Sequence, residues 1–239
     1  MSVFIAIEGT DAAGKATNTR LLAERIRAVG REVVTYAFPR YDTPIGQTIK
    51  RLLTGQMCVK WNSGAPALIE DALVLQALMV ADKADAVEEI AQHFNEGTVV
   101  LCDRWVPSAI CYGSADGLDR EWLRRINFAL PDASLNIFID VSPEEALRRR
   151  PEARDRYERD REKQKRVHAE YVRLWGCEQG QERIVLAPDP YYEVYCRLNG
   201  EQSREAVADE VFKAVTRHRA WKESLVDVPP PKASPEHAS

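Results

Sequence analysis

A glycine-rich segment near the start of the chain carries the residue types that bind a phosphate. Gly9 to Ala16 fits the pattern G-x-x-x-x-G-K-[ST] at every position except the last. An apolar run precedes the segment and apolar residues at helical spacing follow it, which is the context that the pattern requires. The N–H groups and the dipole at a helix start favour an anion, and Lys15 would reach the outer phosphates. We interpret the segment as a phosphate-binding loop; a glycine-containing turn without a ligand is the alternative.

The residue after the loop lysine departs from this pattern. Ala16 stands where a hydroxyl group normally ligates Mg²⁺. Thr17 supplies a hydroxyl one residue later, but one step along a helix turns a side chain by about 100°. Two hypotheses remain open: Mg²⁺ is held through water and by carboxylates elsewhere, or the loop binds a phosphate without catalysis.

An acidic and a basic residue follow the third predicted strand directly. Asp103 and Arg104 stand where Thr98–Asp103 ends, and ligands of open α/β sheets bind at the carboxyl ends of strands. The aspartate could hold a metal-bound water, and the arginine could grip a phosphate with two hydrogen bonds. This position favours a functional role over a structural ion pair.

Two further segments carry residues that suit a nucleotide site. Phe38-Pro39-Arg40-Tyr41 follows the second predicted strand, and it could line a nucleotide pocket or form a packed turn. The segment from Arg148 to Arg166 is rich in arginine, whereas no Arg or Lys lies between Gly9 and Gly14. A phosphoryl-transfer enzyme neutralises charge on the moving phosphoryl group. We therefore expect any transition-state arginine to come from this arginine-rich lid; a solvated helix face is the alternative.

Composition excludes several other classes of protein. The chain has 239 residues, of which 45% are hydrophobic and 29% charged, with a net charge of −4. These values are ordinary for a globular protein, and they lack the basic excess of a general nucleic-acid binder. No apolar run is long enough to span a bilayer, and the first residues lack a cationic leader. The 5 cysteines form no C-x-x-C, so we expect neither disulfides nor a zinc cluster. This cysteine usage suits a reducing environment, and we expect a cytoplasmic location.

Short apolar runs alternate with segments of helical spacing, which predicts an α/β fold with a mainly parallel sheet. The last stretch, from Val226, holds several prolines and little apolar content, so we expect a disordered tail over 221–239. Strands are expected at Val3–Ile7, Glu32–Phe38, Thr98–Asp103, Leu135–Val141, Arg183–Ala187 and Tyr192–Leu198. Helices are expected at Gly14–Val29, Thr43–Leu53, Ala67–Glu96, Asp119–Leu130, from Ser142, at Tyr157–Trp175 and at Ser203–His218.

Taken together, the motifs resemble the thymidylate kinase family of P-loop nucleoside-monophosphate kinases, which make dTDP from dTMP and ATP. The resemblance covers about residues 3–215, and each motif is loose alone but the ordered set is specific. The matching segments are, in order, Glu8–Thr17, Phe38–Tyr41, Ala81–Lys83, Asp103–Tyr112 and Arg154–Asp160. The resemblance implies a P-loop parallel sheet of about five strands flanked by helices, a kinase domain over 1–220 with an Arg-rich lid over about 148–160, and a homodimer.

The family also implies roles for individual residues. Asp11 would touch the sugar 3′-hydroxyl and the metal site, and Tyr112 would lie under the deoxyribose. The implied catalytic residues are Lys15, Arg104, Arg149 and Arg154. The implied ATP-binding residues are Gly9, Asp11, Ala12, Ala13, Gly14, Lys15, Ala16 and Thr17. The implied substrate-binding residues are Asp11, Phe38, Tyr41, Met79, Lys83, Arg104, Ser108, Ala109, Tyr112 and Tyr157. Asp103 and Asp11 would organise Mg²⁺ through water.

Three positions of the implied base pocket depart from the family pattern. Met79 replaces a frequent Phe, Lys83 replaces a frequent Arg, and Ala109 stands where some members have a polar group. We therefore expect dTMP or a close deoxypyrimidine monophosphate as acceptor, in a permissive pocket. Three alternatives stay open: a kinase for another or modified deoxynucleotide, a polyphosphate-dependent kinase with a similar loop, and an inactive nucleotide-binding module.

Overall fold

The computed structural model describes residues 2–57, 67–150, 152, 160–186 and 192–224. Within them, strands and helices alternate through most of the chain. The strands are β1 (Phe4–Glu8), β2 (Val33–Ala37), β3 (Val99–Asp103), β4 (Leu135–Asp140), β5 (Glu182–Leu186) and β6 (Tyr192–Asn199). The helices are α1 (Lys15–Ala28), α2 (Pro44–Leu53), α3 (Ala67–Ala84), α4 (Val87–Asn95), α5 (Val106–Ala115), α6 (Arg120–Asn127), α7 (Pro143–Arg149), α8 (Arg161–Trp175), α9 (Arg204–Arg217) and α10 (Arg219–Ser224).

The strands form one sheet in the order β2-β3-β1-β4-β6-β5. Each neighbouring pair from β2 to β6 is parallel, whereas β5 pairs with β6 in the antiparallel direction. The connection over 187–191 is too short for the crossover that a parallel pair would need. The prediction of an α/β fold with about five parallel strands is confirmed, and the edge strand β5 adds an antiparallel pair.

Both faces of the sheet are covered, which explains why its central strands read as unbroken apolar runs. Along β1, Ile5 and Ile7 pack in one core with Leu22 of α1. Phe4 and Ala6 point the other way and pack with Trp105 at the start of α5. Every residue of β1 is buried, so the strand fixes the position of the loop that comes after it.

Helix bounds differ from the predicted ones at several positions. Helix α6 ends at Asn127 rather than Leu130, and α8 begins at Arg161, after the cap residue Asp160, rather than at Tyr157. The Ala-rich run was predicted as one helix over Ala67–Glu96, but it breaks between Ala84 and Val87. The fully buried Ala86 is the cap residue of the separate helix α4. Helix α5 was not predicted by periodicity. Its residues are small or apolar and most of them are buried, so the segment lacks the polar face that marks an amphipathic helix. The helix predicted from Ser142 is confirmed as α7, and Ser142 caps it, since its Oγ accepts the N–H of Glu145 over 3.3 Å.

The predicted start of the disordered tail, at residue 221, is too early. Residues 219–224 form α10, where Trp221 is 3% exposed. The Arg31 guanidinium lies 4.9 Å from the centre of the Trp221 ring and also contacts the Ser224 hydroxyl. Packing of the Trp221 ring against the domain therefore stabilises α10, although the composition of the last residues predicts disorder. Residues 225–239 lie outside the described part of the chain.

Among the described residues, no helix has the length and apolar character needed to cross a bilayer.

Candidate active site

The loop between β1 and α1 has backbone geometry that only a glycine-rich sequence adopts easily. Gly9 and Gly14 have φ of +151° and +90°. A Cβ on Gly9 would come within 2.8 Å of the Ile139 carbonyl oxygen in β4, so a side chain at this position would clash with backbone. Ala12 also has a positive φ, 61°. The predicted loop is thus present, packed against β4 and followed directly by a helix.

Lys15 lies inside this loop. The side chain is 7% exposed, and Nζ donates a hydrogen bond to the Thr10 carbonyl oxygen over 2.8 Å. Burial and the nearby Arg104 charge lower its pKa to about 8, although Asp103 and Asp11 act in the opposite direction. A phosphate group in the loop would therefore stabilise the protonated form of the amine.

Arg104 joins the loop to the end of β3. Its φ of 71° is rare for a residue with a side chain, and such strain is common at functional sites. Its Nη2 donates to Asp11 Oδ1 over 2.6 Å and to the Tyr112 hydroxyl over 3.1 Å. Its Nη1 donates to the Gly9 carbonyl oxygen over 3.0 Å. The structure thereby brings together four residues that the sequence analysis had placed in the site from distant positions.

Asp11 is paired on both carboxylate oxygens. The Tyr112 hydroxyl donates to Oδ2 over 2.8 Å, opposite the Arg104 contact on Oδ1. Burial alone would raise the pKa of Asp11, but the charges of Arg104 and Lys15 outweigh it and lower the pKa to about 2. Burial raises the pKa of Tyr112, so its hydroxyl stays a donor. Asp11 is therefore an anion that orients the Arg104 guanidinium.

A buried carboxylate lies directly beneath Arg104. Glu8, at the end of β1, is fully buried, and its Oε1 accepts the N–H of Trp105 over 2.7 Å. Its Oε2 accepts the hydroxyls of Ser108 over 2.5 Å and Tyr171 over 2.9 Å. Ser108 in turn lies 3.2 Å from Arg104 Nη1. Ser108, which the resemblance implies binds the substrate, thus also links the Glu8 carboxylate to Arg104.

Sequence reasoning missed Glu8 and Tyr171 as site residues. Glu8 stood inside the quoted loop motif, so its charge within an apolar strand was a usable signal. Tyr171 offered no local signal, because it comes from α8, far along the chain. Only the packing of α8 against α5 and β4 brings its hydroxyl to Glu8.

One face of α8 contacts three parts of the site. Gln164 donates to Asp11 Oδ2 over 3.3 Å, His168 Nε2 lies 2.7 Å from Asp140 Oδ1, and Tyr171 contacts Glu8. These residues are four and three positions apart, so they share one side of the helix. Helix α8 is thus tied to the loop and to the ends of β1 and β4.

A narrow cleft with a volume of about 80 Å³ opens beside Arg104. It collects nine of the ten residues predicted to bind the substrate; the tenth, Tyr157, lies outside the described residues, as does the predicted lid residue Arg154. The cleft is lined by Asp11, Phe38, Pro39, Tyr41, Leu53, Leu75, Gln76, Met79, Lys83, Arg104, Ser108, Ala109 and Tyr112.

Lys83 is a buried cation in the wall of this cleft. It is 2% exposed, its Nζ lies 6.0 Å from the centre of the Phe38 ring, and it donates to the Met79 carbonyl oxygen over 3.2 Å. Burial lowers its pKa to about 8, against the effect of Glu8 and Asp82. The cleft thus presents a cationic donor beside an aromatic ring.

Arg40 has a structural role, whereas Tyr41 lies at the mouth of the cleft. The Arg40 backbone N–H and Nε donate to the carboxylate of Asp82 over 2.9 and 3.1 Å, and its Nη2 donates to Asp85 over 2.6 Å. Tyr41 is 43% exposed. In addition, the Phe38 N–H donates to the Asp103 carbonyl oxygen over 3.0 Å, which fixes this segment beside the end of β3.

Two larger cavities lie between the loop and α7. One, of about 340 Å³, is lined by Gly14, Thr17 and Arg149 among others. The second, of about 360 Å³, is lined by Asp11, Ala12 and Arg150 among others. Arg149 donates to Glu145 Oε1 over 2.8 Å and to the Gly200 carbonyl oxygen over 2.7 Å. Arg149 and the loop therefore line the same cavity, and hydrogen bonds to Glu145 and Gly200 hold the Arg149 guanidinium.

The carboxylates fit a magnesium ion held largely by water and phosphate. Among the described residues, no group of three His, Cys, Asp or Glu side chains is placed to hold a metal. Asp11 is occupied by Arg104 and Tyr112, which leaves Asp103, at the end of β3, as the better candidate. One carboxylate suits Mg²⁺, which keeps several waters and binds phosphates.

Comparison with known proteins agrees with this geometry. The family model described as thymidylate kinase matches residues 7–196, which is most of the chain. This chain belongs to the thymidylate kinase family. It is 37% identical over 203 residues to the thymidylate kinase of Symbiobacterium thermophilum, covering 81% of this chain and 89% of that one. It is 33% identical over 204 residues to the thymidylate kinase of Mycobacterium tuberculosis (strain ATCC 25618 / H37Rv), covering 78% and 92%.

A solved thymidylate kinase structure from Candida albicans shares the fold. It superposes with a TM-score of 0.67 at 21% identity, covering 90% of this chain and 91% of that one. The match covers most of both chains and agrees with the α/β sheet described above. The chain is thus a nucleoside-monophosphate kinase of the thymidylate kinase family, as the ordered motifs predicted.

Proposed function

We propose that this protein transfers the γ-phosphoryl group of ATP to the 5′-phosphate of dTMP, giving ADP and dTDP, a step toward dTTP. One observation carries the proposal. Arg104 contacts the phosphate loop at Gly9 and Asp11 and also lines the aromatic cleft. The donor and acceptor phosphates would therefore meet at one guanidinium group.

On the donor side, the loop N–H groups and Lys15 bind the β- and γ-phosphates of ATP. Asp103 would hold Mg²⁺ through water, and the ion would supply charge neutralisation at the phosphates. Lys15 is buried and already oriented by the Thr10 carbonyl oxygen, so it needs little reorganisation to meet a phosphate. Preorganised donors of this kind stabilise developing charge without a cost at the moment of reaction.

On the acceptor side, Arg104 holds the dTMP 5′-phosphate in line with the γ-phosphorus. An oxygen of that phosphate attacks the γ-phosphorus, a new O–P bond forms, and the bond to the β,γ-bridging oxygen breaks to release ADP. Asp11 keeps the guanidinium oriented while the acceptor arrives. Tyr112 lies beside Asp11, where its ring would pack under the deoxyribose and disfavour a 2′-hydroxyl. Catalysis here is positioning and charge neutralisation.

We assign the transition-state cation to the lid. The loop between Gly9 and Gly14 supplies no arginine or lysine, whereas Arg149 and Arg150 line the cavities on either side of it. Arg149 would leave Glu145 and the Gly200 carbonyl to reach the γ-phosphoryl group. Arg154 is the second candidate from the sequence.

The resemblance to the family also supports a homodimer. Light scattering coupled to size exclusion tests it, with about twice the 27.0 kDa chain mass as the expected result.

An ADP-release assay with each deoxynucleoside monophosphate tests the proposed reaction. We expect dTMP to give the highest kcat/KM, and ADP release to require Mg²⁺ and an acceptor. Preference for a purine deoxynucleotide would overturn the base assignment. Phosphorylation that proceeds with polyphosphate and not with ATP would identify the other kinase class. ATP binding without ADP release for any acceptor would identify an inactive module, the outcome that Ala16 raises.

A further inference from the structure

Gln76 lies in the wall of the acceptor cleft, and its side-chain oxygen lacks a hydrogen-bond partner. The residue is 1% exposed, and Oε1 accepts no hydrogen bond from the described part of the chain. Met79, Lys83 and Ala109 line the same cleft. A buried amide oxygen without a donor is unfavourable, and such atoms are rare in folded proteins. The missing donor would come from the molecule that occupies the cleft.

The stem of Gln76 is held by a close approach of two helices. A Cβ on Gly113 of α5 would lie 3.3 Å from Gln76 Cγ and 2.6 Å from Leu123 Cδ2. The missing side chain at Gly113 therefore lets α5 pack against the aliphatic part of Gln76. On α3, Gln76, Met79 and Lys83 are separated by helical spacing and share one face. The amide and the lysine thus reach the cleft from the same side.

The facing residue on α5 cannot supply a polar contact. Ala109 lies one turn before Gly113, is 4% exposed, and offers only a methyl group to the cleft. The uncharged polar group with an unpartnered atom in this wall is therefore the Gln76 amide on α3.

We propose that Gln76 recognises the N3 edge of the pyrimidine ring, its amide oxygen accepting the N3–H and its amide nitrogen donating to the O4 carbonyl. This inference rests on the proposed function, because it concerns the same cleft. The Lys83 ammonium, a donor without acceptor capacity, favours a ring carbonyl over the exocyclic amine of cytosine. Because O4 is then a ring carbonyl, the Gln76 amide nitrogen faces O4 and the amide oxygen faces N3–H. The pocket is then more selective than the sequence at Met79, Lys83 and Ala109 predicts.

The test compares dTMP with its N3-methyl analogue, which keeps the ring and the phosphate but cannot donate from N3. Binding of each is measured by calorimetry without ATP, together with kcat/KM. We expect the parent to bind dTMP about 10–100-fold more tightly than the analogue, the range for one lost hydrogen bond that strands a buried partner. In Gln76→Leu, dTMP affinity falls by about tenfold or more, and the two ligands come within a few-fold of each other.

A matched control separates recognition from packing. Asn127 on α6 is also a buried amide, 3% exposed, with an oxygen that has no partner among the described residues, and it does not line the cleft. Asn127→Leu should leave the ratio between the two ligands unchanged. Gln76→Met, with an unbranched side chain of similar length, repeats the test if Gln76→Leu does not fold.

Two results would overturn the proposal: equal binding of dTMP and its N3-methyl analogue by the parent, or a folded Gln76 variant that keeps the parent ratio, whether or not both affinities fall. Neither of these would touch the proposed function, provided that the parent phosphorylates dTMP. Absence of dTMP phosphorylation in the parent would instead be the failure of the proposed function itself.

Discussion

The Arg104 guanidinium donates to Asp11 Oδ1 over 2.6 Å, and this pair is where the phosphate loop meets the acceptor cleft. The two residues are distant in sequence, and each was assigned to a phosphate or sugar contact by a separate motif. Their pairing shows that the loop and the cleft, the two proposed substrate sites, share a wall. A charge change at either residue should therefore affect both substrates.

Lys15→Ala and Arg104→Ala should each reduce kcat by about 10²–10³, the usual cost of removing one charged transition-state contact. Circular dichroism and thermal unfolding check that the fold is intact. The control is Arg25→Ala, which removes a partly exposed arginine paired with Asp209, away from the loop. Turnover near that of the parent in either active-site variant would contradict the site assignment.

Tyr171→Phe should weaken both stability and acceptor binding. The change removes one donor to the buried Glu8 carboxylate and one contact to Ser108, which together lie under Arg104. We expect the free energy of unfolding to fall by about 1–3 kcal/mol, since a buried acceptor loses a partner. Denaturant unfolding measures this, and steady-state kinetics should show a higher KM for dTMP. Parent values in both measurements would argue against a positioning role for this network.

The pH dependence should report Lys83. Burial lowers its pKa to about 8, so the amine is protonated and able to donate below that pH and loses its charge above it. With ATP saturating, bound phosphates keep Lys15 protonated. We therefore expect kcat/KM for dTMP to decline above about pH 8.

Lys83→Arg supplies the matching comparison. Arginine stays protonated throughout this range, so the decline in kcat/KM for dTMP should move to higher pH or disappear. A decline that stays at the same pH in Lys83→Arg would assign it to another group.

Arg149→Ala should lower kcat more than it raises the KM for ATP. The reason is that a transition-state contact contributes to kcat, whereas uniform binding contributes to KM. Arg125→Ala is the control, because Arg125 forms a similar pair with Glu121 on an exposed helix face. An effect confined to the KM for ATP would instead assign Arg149 to binding of ATP beside Gly14 and Thr17, with which it lines one cavity.

The sequence determined the features that depend on neighbouring residues. Apolar runs and helical spacing predicted the alternating elements, and Gly9, Gly14 and Lys15 predicted the loop because its conformation is encoded locally. Asp103 and Arg104 could be assigned because they follow a strand directly, and parallel strands end at one edge. The ordered motifs then indicated the family.

Tertiary structure decided the features that depend on distant residues coming together. The roles of Glu8 and Tyr171, and the orphan oxygen of Gln76, result from the packing of α8 against α5 and of α5 against α3. The helix α5 carries little amphipathic signal because most of it is buried. Trp221 likewise extends the domain past its predicted end at residue 220. Its ring packs against Arg31 and stabilises a helix in a segment whose composition alone predicts disorder. Burial and pairing of this kind depend on contacts between residues that are distant in sequence, so no local sequence pattern predicts them.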